Sequence, residues 1–237
     1  MRPATCLAAF FLLATSVSAH AEPMSPEAAR DAVSKAVGEI RKQNPAGVLP
    51  LVDPVIAALQ EQQKEKNAVC ADDAAQSLAL MIMQAAASDK LPKEQRRDAV
   101  TVDSAFCLAP FLKGFALIDL QRWDDAEPML RLASESAPLN AQYRNEYAEW
   151  FKAMKQWQKA HDVFAEAYGL GEFESDESAK RFNQARALRG MGFTEIEMGD
   201  LDKAEESFKK SLKLLPDHEG AKSELQYIAD LRKRAKG

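Results

Sequence analysis

The chain has 237 residues, 36 acidic and 31 basic side chains and a formal net charge of −5. That length suits one or two domains with a sizeable core, and the mild acidic balance, with both signs interspersed, offers no basic face for nucleic acid. Only 10 glycines stand among many Ala, Leu, Glu and Lys residues, a bias toward helix.

The chain opens with Arg2 and a mostly apolar run from Ala4 to Val17, followed by Ser18-Ala19-His20-Ala21. A short positive start, an apolar stretch and an Ala-x-Ala site predict a signal peptide over 1–21 and export to the periplasm or beyond. The run is short for a bilayer span, and Glu22-Pro23 ends it. Cys6 lies near its start, not where a lipoprotein cysteine would stand. The exported chain keeps Cys70 and Cys107. An even pair in an oxidising compartment predicts a disulfide; two buried free thiols are the alternative.

Residues 22–103 read as a helical N-terminal region. Ser25-Pro26-Glu27 starts a helix running to Lys42, and Asp53-Pro54 starts a second running to about Lys66. Asp72 or Asp73 caps a third, holding Leu78, Leu80, Met81 and Met83. Pro92 starts a short charged fourth through Arg97.

From residue 104 the chain repeats itself. Trp123-Asp124-Asp125-Ala126 is followed by Leu130, Trp157-Gln158-Lys159-Ala160 by Phe164, and Leu201-Asp202-Lys203-Ala204 by Phe208. Ala133, Ala167 and Ser211 each lie seven after those alanines, and the alanines are spaced by 34 and then 44 positions. Large–small pairs precede each alanine: Lys113-Gly114, Tyr147-Ala148 and Met191-Gly192. Pro138 and Pro216 follow, with Glu172 at the middle equivalent. Asp124 with Glu127, and Asp202 with Glu205, have capping-box spacing. Pro110 falls inside a predicted helix, which must kink there or begin later.

These residues resemble the tetratricopeptide repeat family, whose period is 34. The resemblance implies an all-α chain: an α-solenoid of antiparallel helix pairs, with repeats at about 107–140, 141–174 and 185–218 inside 104–237. The ten extra residues after Gly169 are a longer loop or extra helical turns. His218 to Arg234, with Ala221, Leu225, Ile228 and Leu231 at helical spacing, is the expected capping helix. The first helix of each repeat lines the concave face in this family. Candidate partner-binding residues are therefore Phe111, Phe115, Asn145, Glu149, Lys152, Arg186, Arg189 and Phe193. Arg186 and Arg189 suit a carboxylate.

The inventory argues against an enzyme. The exported chain holds His161 and His218 only, with no companion ligands for a metal and no phosphate loop or nucleophile elbow. Asp72-Asp73 and Asp124-Asp125 stand at helix starts, where capping explains them. No cofactor or metal is expected. The expected function is a non-catalytic periplasmic adaptor that binds a protein or peptide. The alternative is a structural envelope protein that self-associates through Trp150, Phe151 or the apolar face of the first repeat.

Overall fold

The computed structural model describes residues 23–88, 90 and 100–235. Helix α1 (Pro26–Arg41) begins where Ser25 accepts a hydrogen bond from the Ala28 amide at 3.2 Å. Its buried residues, Ala29, Val33 and Ala36, recur along one face. Helix α2 (Pro45–Lys66) starts eight residues earlier than Asp53-Pro54 suggested and runs through Pro50 and Pro54. The physical reason is burial. Val48, Val52, Val55, Ile56 and Leu59 are shielded against α1 and the helix at Ser104–Asp119. Each contributes about 1.5–3 kcal/mol, which together offsets the amide hydrogen bonds the prolines omit.

Asn67, in left-handed conformation, ends α2 and turns the chain into β1 (Ala68–Cys70). Helix α3 (Ala74–Ser88) follows, then β2 (Val100–Val102), which pairs parallel with β1 in the register Ala68↔Val100. No strands were expected from the sequence. They are three residues long and tie a side excursion to an otherwise helical chain. The predicted helix at 92–97 lies outside the described residues.

The repeats are α4 (Ser104–Asp119) with α5 (Trp123–Ser136), α6 (Ala141–Ala153) with α7 (Trp157–Leu170), and α8 (Glu177–Glu197) with α9 (Leu201–Leu214). Helix α10 (Glu219–Arg234) closes the row. Small residues let the two helices of a pair approach closely. A Cβ on Gly114 would fall 2.7 Å from Leu130, and one on Gly192 would fall 2.7 Å from Phe208. In the middle pair, buried Ala148 packs with Ala160 and Phe164. Lys113, beside Gly114, reaches Asp53 of α2 at 2.6 Å.

Two capping expectations are corrected. Helix α9 is capped by Asp200, which accepts from the Lys203 amide at 3.2 Å, and Asp202 lies inside the first turn. Helix α5 begins at Trp123 with no side-chain cap, and Asp125 pairs with Arg122 instead. Helix α4 begins at Ser104 and carries Pro110 within it, so it does not start late. The extra residues after Gly169 become a 3-10 turn (Gly171–Phe173) and about two added turns at the front of α8.

Among the described residues the helices stack in chain order, with α1 on α2 and α4, α6 on α8, and α10 on α8 and α9. Across the first helices, Phe111 of α4 stacks on Tyr143 of α6 with centroids 4.8 Å apart. No helix among the described residues is long and apolar enough to cross a membrane.

Candidate functional site

The inner row of helices leaves a cleft of about 460 Å³ where α6, α8 and α10 converge. Glu149 and Lys152 come from α6, with Phe182, Arg186, Arg189 and Phe193 from α8. His218, Gly220 and Glu224 come from the start of α10, and Gly190 and Phe208 also line the cleft. About three helical turns of α8 present its residues on one side because 182, 186, 189 and 193 follow the helical period.

The charges in the cleft are not equivalent. Arg186 donates to Glu146 at 2.6 Å. Burial opposes its charge, but Glu146 and then Glu149 outweigh burial and raise its pKa. Lys152 pairs with Glu149 and stands 5.2 Å above the Phe193 ring. Arg189 differs. It donates to the Ser211 hydroxyl at 3.3 Å and has no carboxylate at ion-pair distance among the described residues. Burial, and then the Arg186 cation beside it, push its pKa down. A guanidinium stays charged at neutral pH even so. His218 accepts the Ala221 amide at Nδ1, 3.1 Å away, which places the imidazole proton on Nε2. The cleft thus offers a cation with no ion-pair partner among the described residues, eased only at longer range by Glu149, beside two aromatic rings, of which Phe182 is 53% exposed.

Of the residues singled out by sequence, Glu149, Lys152, Arg186, Arg189 and Phe193 share this cleft. Two are corrected. Asn145 is fully buried and donates to the Asn183 carbonyl at 3.1 Å. Phe111 is buried under Tyr143. Both serve packing between neighbouring helix pairs. Phe115 is partly exposed on α4, outside the cleft. Sequence reasoning missed Phe182, His218 and Glu224. Phe182 lies in the added turns of α8, before the 34-residue register begins. His218 and Glu224 lie on a helix read only as a cap.

The other histidine among the described residues sits in a separate polar contact. His161 Nε2 is 3.1 Å from Glu195 Oε1, and the Ser207 hydroxyl donates to Glu195 Oε2 at 2.7 Å. The carboxylate lies between hydroxyl and imidazole, so the imidazole is not placed to take the serine proton. The contact joins α7, α8 and α9. Cys70 and Cys107 form a disulfide, with sulfurs 2.07 Å apart. Among the described residues no group of His, Cys, Asp and Glu could hold a metal ion.

Comparison with known proteins places the architecture. Residues 185–218 match the tetratricopeptide repeat model. No curated protein matches the chain significantly. Among solved structures, Pseudomonas aeruginosa PilF is similar at TM-score 0.56 and 14% identity, over 88% of this chain and 70% of that one. A Podospora anserina putative kinesin light chain with TPR-like repeats scores 0.49 at 10% identity, over 90% and 99%. The first TPR of Spaghetti (RPAP3), bound to an HSP90 peptide, scores 0.48 at 20% identity, over 56% and 97%. At 14% identity the likeness to PilF is one of fold. One segment, 185–218, thus matches the tetratricopeptide repeat, and the stacked helix pairs around it give the chain a TPR-like fold.

Proposed function

We propose that this protein is an exported, non-catalytic scaffold that holds an extended segment of a partner protein in the cleft between α6, α8 and α10. The observation that carries the reading is Arg189: a half-buried cation with no carboxylate at ion-pair distance among the described residues, in a cleft that Phe182 and Phe193 also line. A half-desolvated guanidinium gains most from an acidic group that it can hold with two parallel hydrogen bonds. The flanking rings supply apolar contact for the residues on either side of that acid. The ligand is therefore an acid-bearing peptide segment with a neighbouring apolar side chain.

Arg189→Glu tests this. Affinity for an acid-bearing partner segment, measured by fluorescence anisotropy, should fall at least tenfold, roughly 1.4 kcal/mol. The same reversal at Lys213, exposed on α9, should leave it unchanged. Equal affinity for wild type and Arg189→Glu would remove the cleft from the account. Arg186→Glu is a poorer probe, because it strands Glu146 and costs fold stability as well.

Export is supported by the apolar run before Ala21 and by the Cys70–Cys107 disulfide, which persists in oxidising compartments. The N-terminal residue of the purified protein should be Glu22. A cytoplasmic chain that keeps residues 1–21 would contradict it. Self-association through Trp150 and Phe151 is not favoured. Trp150 is buried, with its indole N–H bonded to the Trp123 carbonyl at 2.9 Å, and Phe151 packs against Tyr147.

A further inference from the structure

Most charged side chains around the cleft are already engaged. Arg186 holds Glu146, Lys152 holds Glu149, and His218 Nδ1 caps α10. Two are left over. Arg189 has the Ser211 hydroxyl and no carboxylate at ion-pair distance among the described residues. Glu224, partly buried on α10, has no hydrogen bond or ion pair among the described residues.

The sequence explains why neither finds a partner on its own helix. The positions three and four away from Glu224 hold Gly220, Ala221, Tyr227 and Ile228. Those around Arg189 hold Ala185, Arg186, Gly192 and Phe193. Neither set contains the opposite charge at the spacing where helical neighbours meet. Elsewhere on α10, Glu219 pairs with Lys222, Asp230 with Lys233, and Arg232 with Asp202 and Glu205. Nor do the two leftover charges satisfy each other. The charges that act on Arg189 are Arg186 and Glu149, while Glu224 lines the same cleft from a different helix. Gly220, one turn before Glu224 on the same side of α10, has no side chain to cover it.

We infer that Glu224 reads a basic side chain on the same segment whose acid meets Arg189, so that the cleft selects a polypeptide segment of mixed charge. The inference rests on the role proposed above for the cleft. Charge complementarity selects this occupant. A segment with acids alone gains at Arg189 and is repelled at Glu224, and one with bases alone does the reverse. Either leaves a partly desolvated charge unpaired. A segment carrying both signs, with an apolar side chain against Phe182 and Phe193, satisfies both charges and the rings. Because Arg189 and Glu224 stand on different helices, the pair also fixes the direction in which the segment lies.

Fluorescence anisotropy with three families of labelled synthetic peptides tests this. The first carries an aspartate, a leucine and a lysine, with the spacing of aspartate and lysine varied. The second has alanine in place of the lysine, and the third has glutamate there. Near-physiological salt screens charges beyond about 8 Å, which suppresses general attraction of lysine to an acidic protein. At the best spacing, the wild type should bind the lysine peptide about fivefold more tightly than the alanine peptide, as a partly exposed ion pair allows. Glu224→Gln should erase that advantage. Glu177→Gln, which removes the same charge from an exposed position of α8 outside the cleft, should keep it. Glu224→Lys should reverse the order in favour of the glutamate peptide. Glu224→Gln should also melt with the wild type, because Glu224 bonds nothing in the fold. Equal affinity for lysine and alanine peptides at every spacing overturns the inference, as does a lysine advantage that survives Glu224→Gln. A lower melting temperature for Glu224→Gln overturns it too, since Glu224 then serves the fold. In those cases the reading of Arg189 still stands if Arg189→Glu weakens the lysine and alanine peptides alike. If no peptide binds, or Arg189→Glu changes nothing, that reading fails and this inference fails with it.

Discussion

Single residues divide into those that permit close packing and those that tune the surface. Gly190 belongs to the first kind: a Cβ there would fall 2.4 Å from the Phe164 ring. Gly190→Ala should therefore destabilise the fold by about 1–3 kcal/mol, read as a lower urea midpoint. Gly38, inside α1, has nothing within 4 Å of its missing Cβ. Gly38→Ala should stabilise the fold by roughly 0.5–1 kcal/mol, read as a higher midpoint, since only the glycine's helix penalty is removed. Glu205 is of the second kind. Hydrogen bonds from Lys209 and Arg232 hold its carboxyl down at about 2, from an ordinary 4.5. A depressed carboxylate contributes stability above its unfolded pKa and loses it as pH falls through the folded one. Melting temperature should therefore drop between pH 4.5 and 2, and Glu205→Gln should flatten part of that drop. The effect should shrink in high salt, because the pair is solvent-exposed.

At the scale of elements, one turn recurs four times. Gln43, Gln121, Lys155 and Gly199 all have positive φ, between 55° and 84°, at the end of a first helix. Each turn closes with the same two backbone bonds. Gln121 N bonds Ile118 O and Arg122 N bonds Leu117 O, as Gln43 N bonds Ile40 O and Asn44 N bonds Glu39 O. Helices α1 and α2 are thus joined as the recognised repeats are, although no 34-residue pattern aligns them. The sequence hides this because three of the four positions are not glycine, and a side chain in left-handed conformation leaves no compositional mark. The start of α2 was obscured for a related reason. Pro50 and Pro54 read as breakers locally, and only the burial of Val48 and Val52 against other helices outweighs them. The short strands were illegible too, since three residues carry no period. Their anchor is the disulfide, which closes a separation of 37 residues. Reduction should cost about 3–4 kcal/mol on the chain-entropy model, measurable as a shift in chemical denaturation with and without dithiothreitol.

Over the whole molecule, the repeat made the stacking readable while leaving the cleft only partly so. The resemblance to the repeat family placed Glu149, Lys152, Arg186, Arg189 and Phe193 on the concave side, because the repeat register fixes which way a side chain faces. It could not say that Glu146 already occupies Arg186, nor that Asn145 is sealed between helices. Those depend on distances across repeats that no local pattern encodes. Nor could it find Phe182, which the added turns of α8 carry beyond the repeat register. The role proposed for the cleft is to hold a segment of another polypeptide. The most direct measurement places a photo-cross-linking phenylalanine at position 182, exposed enough to accept it, and another at Lys213 on α9. Irradiation in the cell should join position 182, and not 213, to one segment bearing an acidic residue, and Arg189→Glu should abolish that product. Cross-links from 213 alone, or from 182 undiminished by Arg189→Glu, would contradict it.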